Sequence, residues 1–398
     1  SLAAWKLPKW KASMMASMKT DEAKKPSSGN KKAEAEVPME QLLKLDALQV
    51  ELGYALVHLA DQSKKGDLLS RVTGIRKNFA REMGMVIPPI KVKDNLQLQG
   101  QEYRLLLKGE EYTRGEIHAD RWLAMNASDS KEVLDGIQTT EPVYQLPATW
   151  ITGVEKKKAE LKGFTVVDAT TVLVTHLSET IKQQAADILS RQDVQHLLDN
   201  LKETHATVIN ELIPAQLSIG QVHRLLQNLL AEGLSIRNLS EILERVSDLA
   251  PHTKNPDELS EHARLALSKT ISKPYISDDG MLHTLSLDPD LERIIGEGVR
   301  KTPSELALIL EPNVALQVIE TFSRGIQHMT ASGLHPVLVC GPQIRLPLYR
   351  FLKSTFANLT VIGLMELPNQ LPLKNVMTLS LAAEKRSEPQ PEMIAETI

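Results

Sequence analysis

Apolar side chains recur along the chain with two different periods, which indicates both helices and strands. Between residues 66 and 84 they are spaced three and four apart, and this predicts an amphipathic helix that ends at Gly84, before a pair of prolines. Shorter alternating or continuous apolar runs predict strands around that helix. The predicted strands are residues 53–57, 90–94, 103–107, 122–125, 150–151 and 164–167. Residues 126–148 are predicted to be irregular, because a glycine and two prolines interrupt them.

A second region, residues 190–268, is predicted to be wholly helical. A long helix over about residues 169–189 leads into it. Ser190 and Asp193 have the spacing of a capping box, and Ser218 is the predicted start of a further helix. The last third of the chain returns to strands at 282–287, 336–340, 359–363 and 376–380, and to helices at 314–331 and 344–357. The whole pattern predicts a multidomain α+β fold, with a mixed α/β part, a helical part and a C-terminal α/β part.

The composition of the 398 residues narrows the class of protein. Hydrophobic residues make up 42% and charged residues 24%, which is typical of a globular protein. The apolar runs are only a few residues long, whereas a bilayer span needs about 18. The single cysteine, Cys340, excludes an intramolecular disulfide and a Cys-rich zinc site. The net charge of −4 argues against a nucleic-acid-binding protein.

The charge is unevenly distributed. Residues 1–35 hold eight lysines against three acidic residues, a balance of +5, so the remainder of the chain carries −9. Trp5 and Trp10 stand among these lysines, as at the cytoplasmic edge of a membrane span. We therefore expect the chain to be the part of a membrane protein that follows its spans. The alternative is a disordered basic arm or an artificial extension. Residues 12–38 have the composition of a linker.

Three groups of residues have the chemistry for catalysis or binding, and in each case a structural role is the favoured interpretation. Asp168 and Thr175 with His176 are two helical turns apart, but a histidine of this kind is usually structural or exposed. Cys340 follows a buried strand, where a free cysteine is usually a small core residue. Lysines 156–158 are typical of a solvated helix face. The chain has no phosphate-loop, dinucleotide or nucleophile-elbow motif, so no cofactor, metal or catalytic residue is predicted.

Tyr144 is the candidate for a docking surface. It lies in the irregular segment that begins with Glu141 and Pro142, with Val143 and Leu146 beside it. A partly exposed tyrosine with aliphatic neighbours and a carboxylate at the rim can fill a pocket on a partner while the charge sets the register. The alternative is that Tyr144 covers the local core.

Eight segments of the chain resemble the cytoplasmic region of the FHIPEP family, the flagella/HR/invasion protein export pore family. They occur in the family's order over about residues 50–380, and the C-terminal third matches more loosely. The segments are residues 53–57, 71–80, 88–95, 103–109, 121–126, 163–169, 175–177 and 225–232. The match is specific because it covers most of the chain in order.

The resemblance implies a membrane-anchored subunit of the type III protein export apparatus, with its membrane region before residue 1. It implies a location at the bacterial inner membrane, with this part on the cytoplasmic side. A nine-subunit ring would dock export chaperones that carry late flagellar substrates, and would meet other export apparatus proteins. No enzymatic activity, cofactor or nucleic acid is implied. Two alternatives are the export gate of a virulence-type injectisome and an α/β enzyme of unknown activity.

The resemblance also implies a division of the chain into subdomains. A membrane-proximal basic linker would cover residues 1–46 and a disordered tail residues 382–398. Between them would lie a first α/β subdomain at 47–119 and 169–188, an inserted β-rich subdomain at 120–168, a helical subdomain at 189–268 and a C-terminal α/β subdomain at 269–381.

The family's chaperone-docking residues fall on particular positions of this chain. Its Asp-Pro-x-Phe element coincides with Glu141 and Tyr144, and its helix threonine with Thr175, while Val167 and Val172 would line the floor. Both changes, to glutamate and to tyrosine, keep the charge and the ring. The segment around residues 36–48, with Leu42, Leu43 and Leu45, corresponds to a linker that contacts the neighbouring subunit. This linker lacks the tryptophan that the family has near Met39.

Overall fold

The computed structural model of the protein describes residues 45–64, 66–125, 134–302 and 305–381. The strands are β1 (Leu48–Leu52), β2 (Ile90–Asp94), β3 (Glu102–Leu107), β4 (Glu110–Glu116), β5 (Trp122–Met125), β6 (Ile137–Thr140), β7 (Pro147–Ile151), β8 (Thr165–Asp168), β9 (Leu282–Leu287), β10 (Val299–Lys301), β11 (Leu306–Leu308), β12 (Val337–Cys340), β13 (Thr360–Gly363) and β14 (Leu373–Leu379). The α-helices are α1 (Leu68–Met83), α2 (Lys156–Leu161), α3 (Ala169–Gln183), α4 (Ala185–Ile188), α5 (Arg191–Lys202), α6 (Ala206–Leu212), α7 (Ile219–Ala231), α8 (Leu239–Leu249), α9 (Pro256–Arg264), α10 (Ser268–Ser272), α11 (Pro289–Gly298), α12 (Pro312–Ala331) and α13 (Pro342–Lys353). Short 3-10 helices occupy Tyr54–Leu59, Gln62–Lys64, Leu265–Leu267, Lys273–Tyr275 and Leu364–Glu366.

The first sheet has the strand order β2-β1-β3-β4. Strand β1 is parallel to β2 and antiparallel to β3, and α1 makes the crossover between the two parallel strands. Leu48, Val50 and Leu52 alternate onto the buried face of β1. Val72 and Phe79 of α1 lie in the same core, as the helical spacing of residues 66–84 predicted.

The second sheet lies in the chain between β4 and α3 and is antiparallel throughout, with the order β6-β7-β5-β8. Because successive strand residues point to opposite faces, each face enters a different core. Leu123 and Trp150 join the core that also contains α3. Ala124 and Ile151 form a small separate core with Ala159 of α2. Helix α3 therefore packs directly against this sheet.

Helices α5 to α9 continue the core of the first sheet. Two of them begin with reciprocal capping boxes, which satisfy backbone groups that a helix start leaves unpaired. Ser190 pairs with Asp193 at the start of α5, and Ser218 pairs with Gln221 at the start of α7. Both helix starts confirm the prediction from the sequence.

The third sheet has the order β13-β12-β9-β14, and all of its strands are parallel. Its core includes Leu338 and Cys340 of β12 together with Phe322 of α12. This confirms the buried strand predicted at 336–340. An antiparallel hairpin of β10 and β11 packs against α13. The protein therefore has the multidomain α+β fold that the pattern predicts.

Residues 53–57 are not a strand, so that prediction is wrong. The strand is Leu48–Leu52, and Tyr54–Leu59 form a 3-10 helix. The strand ends at Gly53, where an added Cβ would lie 2.0 Å from the carbonyl oxygen of Gln99. The backbone approach at this glycine turns the chain away from the sheet.

Two further predictions need correction. The segment 126–148 contains regular structure, because β6 and β7 pair across it. The helix predicted over 169–189 is divided at Gln184 into α3 and α4. Gln184 leaves helical geometry, and its side chain donates a hydrogen bond to the Tyr112 hydroxyl at 2.7 Å.

Within the described ranges, no helix is both long and apolar enough to cross a membrane. The same residues contain no group of three or more His, Cys, Asp or Glu side chains that could hold a metal ion. The predicted basic linker lies almost wholly, and the predicted tail wholly, outside the described residues. The subdomain boundaries remain predictions.

Candidate functional site

The candidate docking loop comprises residues 141–146 and joins β6 to β7. The Glu141 amide donates to the carbonyl of Leu146 at 2.8 Å, and the Gln145 amide donates to the carbonyl of Glu141 at 3.1 Å. Gln145 adopts a positive φ of 56°. Its side-chain amide donates to the carbonyl of Pro142 at 3.0 Å. The loop is thus closed by its own backbone and held in one shape.

Glu141 does not stand at the rim of this loop. It is only 4% exposed, and its carboxylate accepts the amides of Val143 at 3.0 Å and Tyr144 at 2.6 Å. A carboxylate with two backbone donors acts as an internal cap. The expected position of the Glu141 carboxylate at the rim is therefore corrected: it lies inside the loop and holds the backbone that carries Tyr144. Its role in binding a partner stays a prediction.

Tyr144 projects from the loop and is 65% exposed. Leu146 is also exposed, and Val143 is half-buried beside it. The pKa of the Tyr144 phenol is raised by partial burial and by the carboxylates of Glu179 and Glu141. Glu179 lies on α3, one turn beyond Thr175, so Tyr144 stands near the same part of that helix.

Val167 and Val172 lie where the second sheet meets α3. Val172 is buried and Val167 is half-buried against the same core. Thr175 is half-buried on α3. The structure therefore brings both valines into one core and places Tyr144 and Thr175 near one stretch of α3.

A buried polar group that sequence reasoning missed lies behind the loop. The Tyr103 hydroxyl is 2.7 Å from Nδ1 of His176, and Thr113 Oγ1 is 3.5 Å from Nε2. Burial lowers the pKa of His176, and the Glu141 carboxylate partly opposes this. Burial and Glu141 both raise the pKa of Tyr103. The sequence shows His176 next to Thr175, but its partner Tyr103 lies on β3, 73 residues away in the chain.

The three other candidate groups have structural positions. Asp168 caps α3 by accepting the Thr171 amide at 2.8 Å, and lies 3.6 Å from Arg71, so it is occupied without His176. Cys340 is buried, and burial raises its pKa far above neutrality, which keeps the thiol protonated and weakens the case for a nucleophile. Lys156 lies over the Trp122 ring at 3.4 Å.

The predicted subunit-contact residues are only partly visible. Leu45 is largely exposed. Leu42 and Leu43 lie outside the described residues. Their role in assembly stays a prediction.

Solved structures share the architecture of this chain. The Chlamydia pneumoniae CdsV protein superposes with a TM-score of 0.76 at 22% identity, covering 85% of this chain and 99% of that one. A nonameric EPEC SctV-C structure superposes with a TM-score of 0.69 at 22% identity, covering 84% and 98%. These likenesses establish the fold: the chain shares the fold of CdsV and SctV-C.

The chain belongs to the FHIPEP family, whose model matches residues 2–372. The flagellar biosynthesis protein FlhA of Bacillus subtilis is 35% identical over 336 residues, 84% of this chain and 50% of the relative. FlhA of Escherichia coli is 34% identical over 334 residues, 84% of this chain and 48% of the relative. The chain spans about half the length of these curated relatives. The resemblance drawn from the sequence segments is confirmed.

Proposed function

We propose that this chain is the docking platform of a flagellar type III protein export gate, and that it binds export chaperones loaded with late substrates. The observation that carries the proposal is the exposed Tyr144 ring on a loop braced by the buried Glu141 carboxylate. Membership of the FHIPEP family and the flagellar relatives at 34–35% identity support it.

The physical basis of the proposed docking is the aromatic ring of Tyr144, which would anchor the partner. A tyrosine ring buries a large apolar area at a small cost in side-chain entropy, and such rings are frequent hot spots of interfaces. The carboxylate of Glu141 already orders the loop around Tyr144, so binding loses little conformational entropy in the loop. Val167, Val172 and Thr175 would form the floor and wall beside the ring.

The proposal includes a ring of copies at the inner membrane, with this part on its cytoplasmic side. Structural neighbours support assembly, since SctV-C and the EscV cytosolic domain are described as nonameric and CdsV as a complex with CdsO. Several sites on one ring raise the effective concentration of weakly bound cargo complexes. Leu42, Leu43 and Leu45 would help to hold neighbouring copies together.

Calorimetry with a flagellar chaperone–substrate complex tests the docking site. We expect Tyr144→Ala and Thr175→Arg each to weaken binding by about 30-fold, the loss of a typical interface hot spot. Tyr54→Ala is the matched control, because Tyr54 is similarly exposed and lies on a different element. Unchanged affinity in both site variants, or an equal loss in the control, would overturn the proposed site.

Glu141→Ala separates positioning from contact. The substitution removes the acceptor of the Val143 and Tyr144 amides. We expect faster hydrogen exchange of these two amides together with weaker chaperone binding. Weaker binding with unchanged exchange would instead mean that the carboxylate touches the partner directly.

Preferential binding of effector chaperones over flagellar chaperones would favour the alternative function, the export gate of a virulence-type injectisome.

A further inference from the structure

A cavity of about 480 Å³ lies between α9 and the C-terminal region, away from the docking loop. Glu258, Glu261, His262 and Leu265 line one wall, spaced so that they share one helical face. The opposite side consists mainly of the β10–β11 hairpin, the first turn of α13 and the turn after β13. The residues that line this opposite side are Val299, Lys301, Leu306, Pro342, Gln343, Gly363, Met365 and Glu366. The volume is in the range of small-ligand sites.

Glu261 and Glu366 of the cavity wall belong to a buried ionic cluster that also contains Glu232, Arg264 and Arg345. Glu232 lies between two arginines, and its carboxylate accepts hydrogen bonds from Arg264 at 2.8 Å and from Arg345 at 2.6 Å. Glu366 accepts two hydrogen bonds from Arg264, at 2.6 and 2.7 Å. Glu261 accepts from Arg345 at 2.6 Å.

With its three carboxylates ionised, the cluster carries one negative charge more than its two arginines balance, and burial raises the pKa of Glu261. Two guanidinium groups face three carboxylates, and all but Glu261 have side chains less than 10% exposed. Glu261 is the most accessible member, with 19% of its side chain exposed, and it lies on the cavity wall. A buried uncompensated charge is costly. A cation placed in the cavity beside Glu261 would remove this cost.

His262, on the same wall, adds a buried polar atom. Its Nε2 atom is buried and makes no hydrogen bond among the described residues. Burial and the charge of Arg245 lower the pKa of His262, so its ring is neutral near pH 7. A neutral imidazole nitrogen can pair with a ligand group. Lys301 lies at the rim but is paired with Glu258, so it does not balance the third carboxylate of the cluster.

We propose that this cavity binds an amphipathic organic cation, an aliphatic body that carries a guanidinium or ammonium head. The head would lie near Glu261 and His262, and the body would lie against Leu265, Val299 and Met365. A free alkyl cation and an arginine side chain of a peptide share this chemistry. An anion is disfavoured, because three glutamates outweigh the helix start at Pro342.

Ligand-observed NMR titration of the full chain tests the proposal. The probes are n-pentylguanidinium and its neutral isostere n-pentylurea, which differ in charge but hardly in shape. The second arm uses a capped Leu-Arg-Leu peptide and the same peptide with citrulline in place of arginine. We expect each cation to bind about tenfold more tightly than its neutral partner, the gain of one charged hydrogen-bonded contact. The tighter of the two cations identifies the source of the ligand.

Met365→Trp should fill the mouth of the cavity and abolish binding of the cation. Leu364→Trp is the control, since Leu364 is an exposed neighbour that does not line the cavity. Glu261→Gln should remove the preference for the cation while leaving binding of pentylurea unchanged. Equal binding of cation and isostere, no binding of either cation, or binding that survives Met365→Trp would overturn the proposal.

Discussion

The hydroxyl of Tyr103 lies 2.7 Å from Nδ1 of His176, and the two rings meet nearly edge-on with centroids 5.8 Å apart. This contact joins β3 to α3 behind the docking loop. Both side chains are buried, and the Glu141 carboxylate that braces Tyr144 acts electrostatically on both. The candidate docking loop therefore lies in front of a polar contact inside the core.

The stability of the protein should fall as His176 becomes protonated. Burial holds the pKa of His176 below its ordinary value of 6.5, so the unfolded chain binds this proton more tightly than the folded one. The free energy of unfolding should therefore decrease as the pH falls from 7 toward 5. His176→Gln should remove the contribution of this residue and flatten the curve. Urea unfolding at several pH values measures the difference.

His262 and His335 also have pKa values lowered by burial, so the stability of the wild type and of His176→Gln will both keep some pH dependence. The comparison between the wild type and His176→Gln isolates the share of His176. Curves with the same slope in the two proteins would show that His176 makes no such contribution.

Asp257→Asn should destabilise the protein by about 3 kcal/mol, because it breaks a buried ion pair and leaves Arg350 unpaired. Asp257 is 1% exposed. Its carboxylate accepts two hydrogen bonds from Arg350, at 2.6 and 2.7 Å, and one from the Leu306 amide at 2.7 Å. Burial alone would raise the pKa of Asp257, but these donors lower it overall. The contribution is thus present at neutral pH and is lost only in acid. Urea denaturation at pH 7 measures it.

The control for this substitution is Asp248→Asn. Asp248 is exposed and lies 4.0 Å from Arg245, so its replacement should change the free energy of unfolding by less than about 0.5 kcal/mol. A comparable loss in both variants would contradict the assignment of Asp257 as a buried link between the helical and C-terminal regions.

Two glycines associated with α1 should respond to alanine in opposite directions. Gly74 lies inside the helix and an added Cβ would meet nothing within 4 Å, so Gly74→Ala should stabilise by about 1 kcal/mol. Gly84 ends the helix with a φ of 77°, and a Cβ there would lie 2.3 Å from the backbone of Arg237. Gly84→Ala should destabilise by at least about 2 kcal/mol. Thermal unfolding compares the two, and a shift in the same direction would contradict this account.

Much of the fold could be predicted because its signals are local. The helix stripe before Gly84, the capping pair of Ser190 and Asp193 and the buried strand ending at Cys340 all follow from residues close together in the chain. The misplaced strand at 53–57 shows the limit. Its apolar composition suited a strand, but the strand ends at Leu52 and the chain continues as a 3-10 helix, with Gly53 so close to the Gln99 backbone that a side chain would not fit there.

In the candidate site, too, the sequence predicted some features and only the tertiary structure decided others. An exposed Tyr144 followed from its place in a loop with apolar neighbours. The inward orientation of Glu141 did not follow, because it depends on hydrogen bonds that form only when the β6–β7 hairpin closes. His176 drew attention as an acid–base candidate, yet its hydrogen bond to Tyr103 gives it a structural place.

The sequence by itself determined the periodic elements, the helix starts and the family of this protein, since these are written within a few residues or in the order of short segments. The tertiary structure alone decided where the charges are placed. Arg345 and Glu232 are 113 residues apart in the chain and meet in a buried cluster. Which carboxylates are paired, and which of them line a cavity, depends on packing between distant elements, and no local pattern of the sequence encodes such packing.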